Sequence, residues 1–142
     1  MRIFRITAPV ILVTTEQLEE SIAFYERLLG QQSRARFKNP AGTLDLVLVG
    51  SLLLIGGLEA ALEARKAMKA TVVVDSLSEW QEALRHGGAV IVEEPKPGPI
   101  GEQGPVGTYM FVKHPDGTLF EYIQLLNETG TEENQVSDER FP

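Results

Sequence analysis

Glu121 stands in the run TLFEYI, residues 118–123, with Leu119, Phe120, Tyr122 and Ile123 around it. A carboxylate in so apolar a run needs a partner, solvent or a task. Unpaired and desolvated, its pKa rises and it suits a general base. Paired, it is half of a structural ion pair, with Arg5, Arg34 or Arg36 as candidate partners. Functional carboxylates and structural pairs are both common, and both readings stay open at this point.

Other side chains are weighed beside it. Tyr109 and Phe111 lie in the preceding apolar run and are candidates to contact a ligand, although strand aromatics more often serve packing. Arg36 is a candidate contact of opposite charge. Residues 94–107 make a long segment rich in proline and glycine, which fits either a lid or a rigid surface loop. Within it, Glu102 and Gln103 sit between Gly101 and Gly104 and are ligand-binding candidates. His114 reads as an exposed turn residue, His86 as a helix-end residue and Trp80 as core.

Much chemistry is excluded outright. The 142 residues include no cysteine, so disulfides, thiolate metal sites and cysteine nucleophiles are absent. With only two histidines, a three-histidine zinc site cannot form within one chain. The glycine pairs Gly56-Gly57 and Gly87-Gly88 form no dinucleotide fingerprint, and neither GxSxG nor a P-loop occurs. Net charge is −7, of which residues 127–142 hold −4. No basic stripe suggests nucleic acid as a partner. No stretch is long enough to span a membrane, and the N-terminal apolar run is short and broken by Pro9. A cytoplasmic protein is the default expectation.

The elements that must position these residues follow from periodicity. Residues 3–13 read as an entering strand with Pro9 at an edge or bulge. Leu18, Ile22, Tyr25 and Leu29 form one helical stripe, stopped by Gly30. Residues 32–38 alternate, with Ser33, Ala35 and Phe37 on one side and Arg34, Arg36 and Lys38 on the other. Residues 44–49 and 52–55 form a hairpin around Gly50-Ser51. A bridging helix over 58–69 turns Leu58, Leu62 and Met68 inward. The second half repeats the order: strand 70–74, a helix with Leu77, Trp80 and Leu84 in a stripe, strand 90–93, then two strands about the turn His114-Pro115-Asp116-Gly117. The fold class is therefore α+β: two βαβββ modules, about 3–56 and 70–126, forming cupped mixed sheets with helices on the outer faces. One domain spans 1–126, and the polar, acidic residues 127–142 read as a disordered tail.

This order, with ESIAFYERLLG after the first strand and HPDGTLFEYIQ at the last hairpin, resembles the vicinal oxygen chelate superfamily of glyoxalase I, extradiol dioxygenases, fosfomycin-resistance enzymes and bleomycin-binding proteins. The resemblance covers roughly residues 3–126. It implies that a metal, where used, takes His or Gln from the first strand of each half and Glu or His from the last. The first strands offer Ala8, Pro9 or Val10, and Ala70 or Thr71. The last strands offer Glu121 and, with the hairpins aligned on Gly50 and Gly117, Leu54. Only Glu121 matches, and a divalent ion needs about three or four good donors.

The expectation is a metal-free protein, with no cofactor, that binds a small, partly apolar molecule in the sheet cup, as bleomycin-binding relatives hold a drug. A homodimer is expected, as is common among relatives. One alternative is a metal-dependent lyase, isomerase or dioxygenase, which requires either another strand register or Glu102, Gln103 or His114 joining Glu121 around a divalent ion. A second is a metal-independent enzyme with Glu121 as base.

Overall fold

The computed structural model describes residues 1–7 and 10–126. The entering segment is two strands, β1 (Ile3–Thr7) and β2 (Val10–Thr14). A short 3-10 turn, Thr15–Gln17, leads into α1 (Leu18–Leu29). Then come β3 (Ser33–Lys38), β4 (Leu44–Val49), β5 (Leu52–Gly57), α2 (Glu59–Lys66), β6 (Met68–Val74) and α3 (Leu77–His86). The chain closes with β7 (Val90–Pro97), the two-residue strands β8 (Ile100–Gly101) and β9 (Gly104–Pro105), β10 (Gly107–Lys113) and β11 (Leu119–Leu125). The expectations for Pro9 and for the tail 127–142 lie outside the described residues.

One sheet has the order β1-β6-β11-β10-β7 and the other β2-β5-β4-β3-β8-β9. The set β2-β5-β4-β3 corresponds strand for strand to β6-β11-β10-β7, and in each the first strand runs parallel to the last. The repeat read from element order is thus present in space. Each half also gives a strand to the other. β1 leaves its own half and pairs antiparallel with β6, through Ile6↔Val72 and Thr7↔Thr71. In return β8 joins the edge of β3 through Lys38↔Ile100. These exchanges turn two four-stranded sheets into sheets of five and six. They also replace the long loop expected over 94–107 with strand.

Alternation with a period of two gives the central strands two apolar faces. Outward, Val47, Val49 and Leu54 pack on Leu18 and Ile22 of α1. Val72, Met110 and Tyr122 pack on Leu77, Trp80 and Leu84 of α3. Inward, Leu46, Leu48 and Leu53 of one sheet and Val73, Ile123 and Leu125 of the other line a common space. Fully buried side chains such as Leu54, Ile55 and Met110 each contribute about 1.5–3 kcal/mol. The two module helices therefore cover the outer faces as expected, but the bridging helix does not join them. α2 lies on the inner side, where Leu62 packs on Leu44, Leu53 and Ile55. It is also shorter than expected, since Met68 opens β6 and Leu58 is 74% exposed.

Two positions test this architecture. A Cβ at Gly107 would run into the main-chain carbonyl of Gln124 on β11, which cannot retreat without breaking the pairing of Thr108 with Gln124. Gly107→Ala is expected to destabilise the fold by about 1–3 kcal/mol, read as a lower urea midpoint at unchanged slope. Asp75 ties the start of β1 to α3. Its Oδ1 accepts the Arg2 amide at 2.9 Å and the Ser76 amide at 2.8 Å. Desolvation pushes the Asp75 carboxyl up, but these amides and the N-terminal ammonium outweigh it and hold its pKa below the ordinary value. Stability from a depressed carboxyl is present above the unfolded value, about 3.9, and is lost as pH falls through the folded one. Asp75→Asn is therefore expected to lower stability at pH 7 and to flatten the acid limb of the stability curve. A mutant curve parallel to wild type at acid pH would rule Asp75 out as a source of acid sensitivity.

Candidate functional site

A cavity of about 360 Å³ lies between the inner faces, and a second of about 350 Å³ adjoins it. The first is bounded by Leu48 and Leu53 on one side and Val73 and Ile123 on the other. The second is bounded by Ala61 and Ala64 of α2, by Tyr109 and Phe111 of β10, and by the turn after β3. Leu46, Pro99 and Glu121 border both, so they form a septum between two lobes.

Glu121 is 8% exposed on the inner face of β11, in register with Phe111 of β10 and Thr71 of β6. Thr71 Oγ1 donates to Glu121 Oε1 at 2.7 Å. Arg65 Nη1 donates to the same oxygen at 3.4 Å. Arg65 arrives from α2 and is itself 9% exposed. It belongs to a helical face that includes Ala61 and Ala64, and all three line the second lobe. Among the described residues, Glu121 Oε2 accepts no hydrogen bond. Burial pushes the Tyr109 hydroxyl above its ordinary pKa. The Glu93 charge adds to the rise and Lys96 opposes it.

The structure brings Tyr109, Phe111 and Glu121 together as the sequence suggests. It places three other candidates elsewhere. Arg36 points to the outer side and pairs with Glu19 of α1 at 2.8 Å, because β3 alternates and Arg36 shares its outer face with Lys38. Glu102 and Gln103 are exposed at the tip of the β8-β9 hairpin and line neither lobe. The same segment meets the cavity through Pro99 and Val106 instead. His114 is not a free turn residue: it stacks on Phe120 at 4.3 Å and its Nε2 lies 2.8 Å from Tyr122 Oη, on the face opposite Glu121. His86 is 83% exposed beside Glu82.

The partner of Glu121 was not among the arginines the sequence offered. Arg5 and Arg34 line the first lobe, and Arg34 donates to the Gly50 carbonyl at 3.3 Å. Pairing slips between Ser33 and Ala35, and Arg34 lines the cavity along with Ala35 rather than facing outward with Arg36. A signal for Arg65 existed: it lies three residues after Leu62, on the inward stripe of the bridging helix. Leu54 also turns outward, so the inner positions of β5 are Leu53 and Ile55.

The donor set does not fit the divalent ion that the resemblance implies. Among the described residues no three of His, Cys, Asp and Glu come together. Ala8 and Pro9, outside them, carry no donor side chain. Around Glu121 stand a hydroxyl and a guanidinium, and the guanidinium repels a cation.

Breaking a buried pair leaves an uncompensated charge and costs roughly 3–5 kcal/mol, whereas replacing both partners with apolar groups is often neutral. Arg65→Met is expected to destabilise by about that amount, and Arg65→Met/Glu121→Leu to recover most of it. A double-mutant cycle by urea unfolding checks this, and additive effects would deny the coupling.

Known proteins agree with the fold. The family model "Glyoxalase/Bleomycin resistance protein/Dioxygenase superfamily" matches residues 7–122. No curated protein sequence matches the chain. An uncharacterized protein from Methanosarcina mazei is similar at 30% identity and TM-score 0.74, over 90% of this chain and 97% of that one. Methylmalonyl-CoA epimerase from Mycobacterium tuberculosis is similar at 18% identity and TM-score 0.61, over 82% and 85%. A Streptomyces coelicolor methylmalonyl-CoA epimerase variant in complex with 2-nitronate-propionyl-CoA is similar at 16% identity and TM-score 0.60, over 89% and 97%. Both epimerases speak for the fold alone. With the family model spanning both repeats and the strand order shared between the halves, this chain belongs to the glyoxalase/bleomycin resistance protein/dioxygenase superfamily.

Proposed function

We propose that the chain is a metal-free binding protein that holds a small, partly apolar molecule in its two-lobed cavity. The observation that carries this reading is at the septum. The one carboxylate at a family ligand position is engaged by Arg65 and Thr71, and among the described residues no three of His, Cys, Asp and Glu gather there. The walls are largely apolar: Leu46, Leu48, Val73 and Ile123 face the first lobe, and Ala61 and Phe111 the second, with Arg5 and Arg34 also lining the first and Glu93 and Lys96 the second. Lobes of about 360 and 350 Å³ lie in the range of small-molecule sites. The similar epimerase with 2-nitronate-propionyl-CoA is an instance of this fold taking a small ligand.

A second reading is favoured by Glu121 Oε2, which accepts no hydrogen bond among the described residues. It makes Glu121 a metal-independent general base toward a substrate proton. Glu121→Gln separates the two: turnover abolished with binding retained supports the base, and a chain without turnover supports the binding protein.

The metal question has its own test. Thermal melts in Ni²⁺, Mn²⁺, Zn²⁺ or Fe²⁺ are expected to match melts in EDTA. A ligand at 100 times its Kd adds about 2.7 kcal/mol and moves the midpoint by several degrees. Near-stoichiometric bound metal that disappears in Glu121→Ala would overturn the metal-free reading.

A further inference from the structure

We propose that the septum recognises a neutral group presenting a carbonyl and an N–H side by side, such as a primary carboxamide or a lactam, on an apolar body. This deepens the binding reading above and rests on it. Charge balance is the first reason. Arg65 and Glu121 place one positive and one negative group 3.4 Å apart, so together they carry no net charge. A charged ligand head brought between these buried groups would lose its hydration and be repelled by one partner as it was attracted by the other.

Incomplete pairing is the second reason. Thr71 Oγ1 and Arg65 Nη1 both use Glu121 Oε1. Among the described residues Glu121 Oε2 accepts no hydrogen bond, and Arg65 Nη2 donates none. Of the polar atoms on these two side chains, only Arg65 Nε is both enclosed and unpartnered. Oε2 and Nη2 are therefore not enclosed, and both side chains line the second lobe. One acceptor and one charged donor on paired groups complement an N–H and a C=O on one ligand group. The apolar walls, Leu46 and Phe111 among them, take the rest of the molecule.

The full chain is titrated by calorimetry with 1-naphthamide, N,N-dimethyl-1-naphthamide and 1-naphthoate, and methyl chemical shifts at Val73 and Ile123 locate the site. 1-Naphthamide is expected to bind at least about tenfold more tightly than either analogue, since each leaves a septum group unmatched. In Arg65→Met/Glu121→Leu the preference is expected to fall below about twofold. Glu121→Gln, which keeps the side-chain shape, is a second variant in which the preference over the dimethyl compound drops, so the test survives if the double variant does not fold. Equal binding of all three, or a preference that persists in the variants, overturns this inference and leaves the binding reading standing. Tightest binding of 1-naphthoate moves recognition to Arg5 and Arg34 and overturns it likewise. No binding of any compound, with Val73 and Ile123 unmoved, overturns both.

Discussion

The buried ion pair between Arg65 and Glu121 is the contact on which the rest of the interior depends. α2 (Glu59–Lys66) is the connection between the two repeats, and it is held at two points of its inner face about one turn apart. Leu62 fastens it to Leu44, Leu53 and Ile55 of the first sheet. Arg65 fastens it to β11 of the second sheet through Glu121. A charged contact in a low-dielectric site is intolerant of separation, because either partner alone retains the full desolvation penalty. The helix is thus pinned between the sheets, and the septum stands where its side chains meet the inner face.

Strand exchange works toward the same end. β1 lies in the sheet of the second half, while β2, three residues on, lies in that of the first. The β8-β9 hairpin makes the return crossing onto β3. The hydrogen bonds that build each sheet therefore join the halves as well. This explains how an interior with two lobes persists: its walls are the inner faces of two sheets that are tied to each other by the exchanged strands. It also explains why Pro99, on the crossing segment, borders both lobes.

Periodicity made the elements and the repeat legible, because the strands alternate, the central ones between two buried faces, and each module helix carries one stripe. It failed where a side chain's direction depends on something other than its parity. Arg34 was set on the same side of β3 as Arg36 by alternation, but the irregular pairing before Ala35 parts them: Arg34 lines the cavity while Arg36 pairs with Glu19. Leu54 was set opposite Glu121 by aligning turns, but the two hairpins differ in length: Val49 pairs with Leu52 across a two-residue turn, whereas Lys113 pairs with Leu119 across five. Glu121 itself was legible from its apolar neighbours. Its partner was signalled only by the place of Arg65 three residues after Leu62 on the inward stripe, since Arg65 lies 56 residues away and the folding of α2 inward is what brings them together. Glu102 and Gln103 looked attractive because glycines flank them, yet a tight hairpin sends its tip to solvent.

The guanidinium beside Glu121 also changes what chemistry the superfamily scaffold can host in this chain. Arginine stays charged throughout the physiological range and has no vacant orbital, so it can donate hydrogen bonds but cannot act as a Lewis acid. It is covalently part of the chain and independent of metal supply. Its charge is already matched by Glu121, so the field it projects into the lobes is that of a dipole rather than of an ion. A dipole orients a polar ligand group without demanding a charge on it, and its influence falls off quickly into the apolar lobes. Selectivity in such a site comes from the pattern of donors and acceptors at the septum and from the shape of the walls. The same pattern limits strong stabilisation of a developing anion, because the nearest carboxylate opposes it.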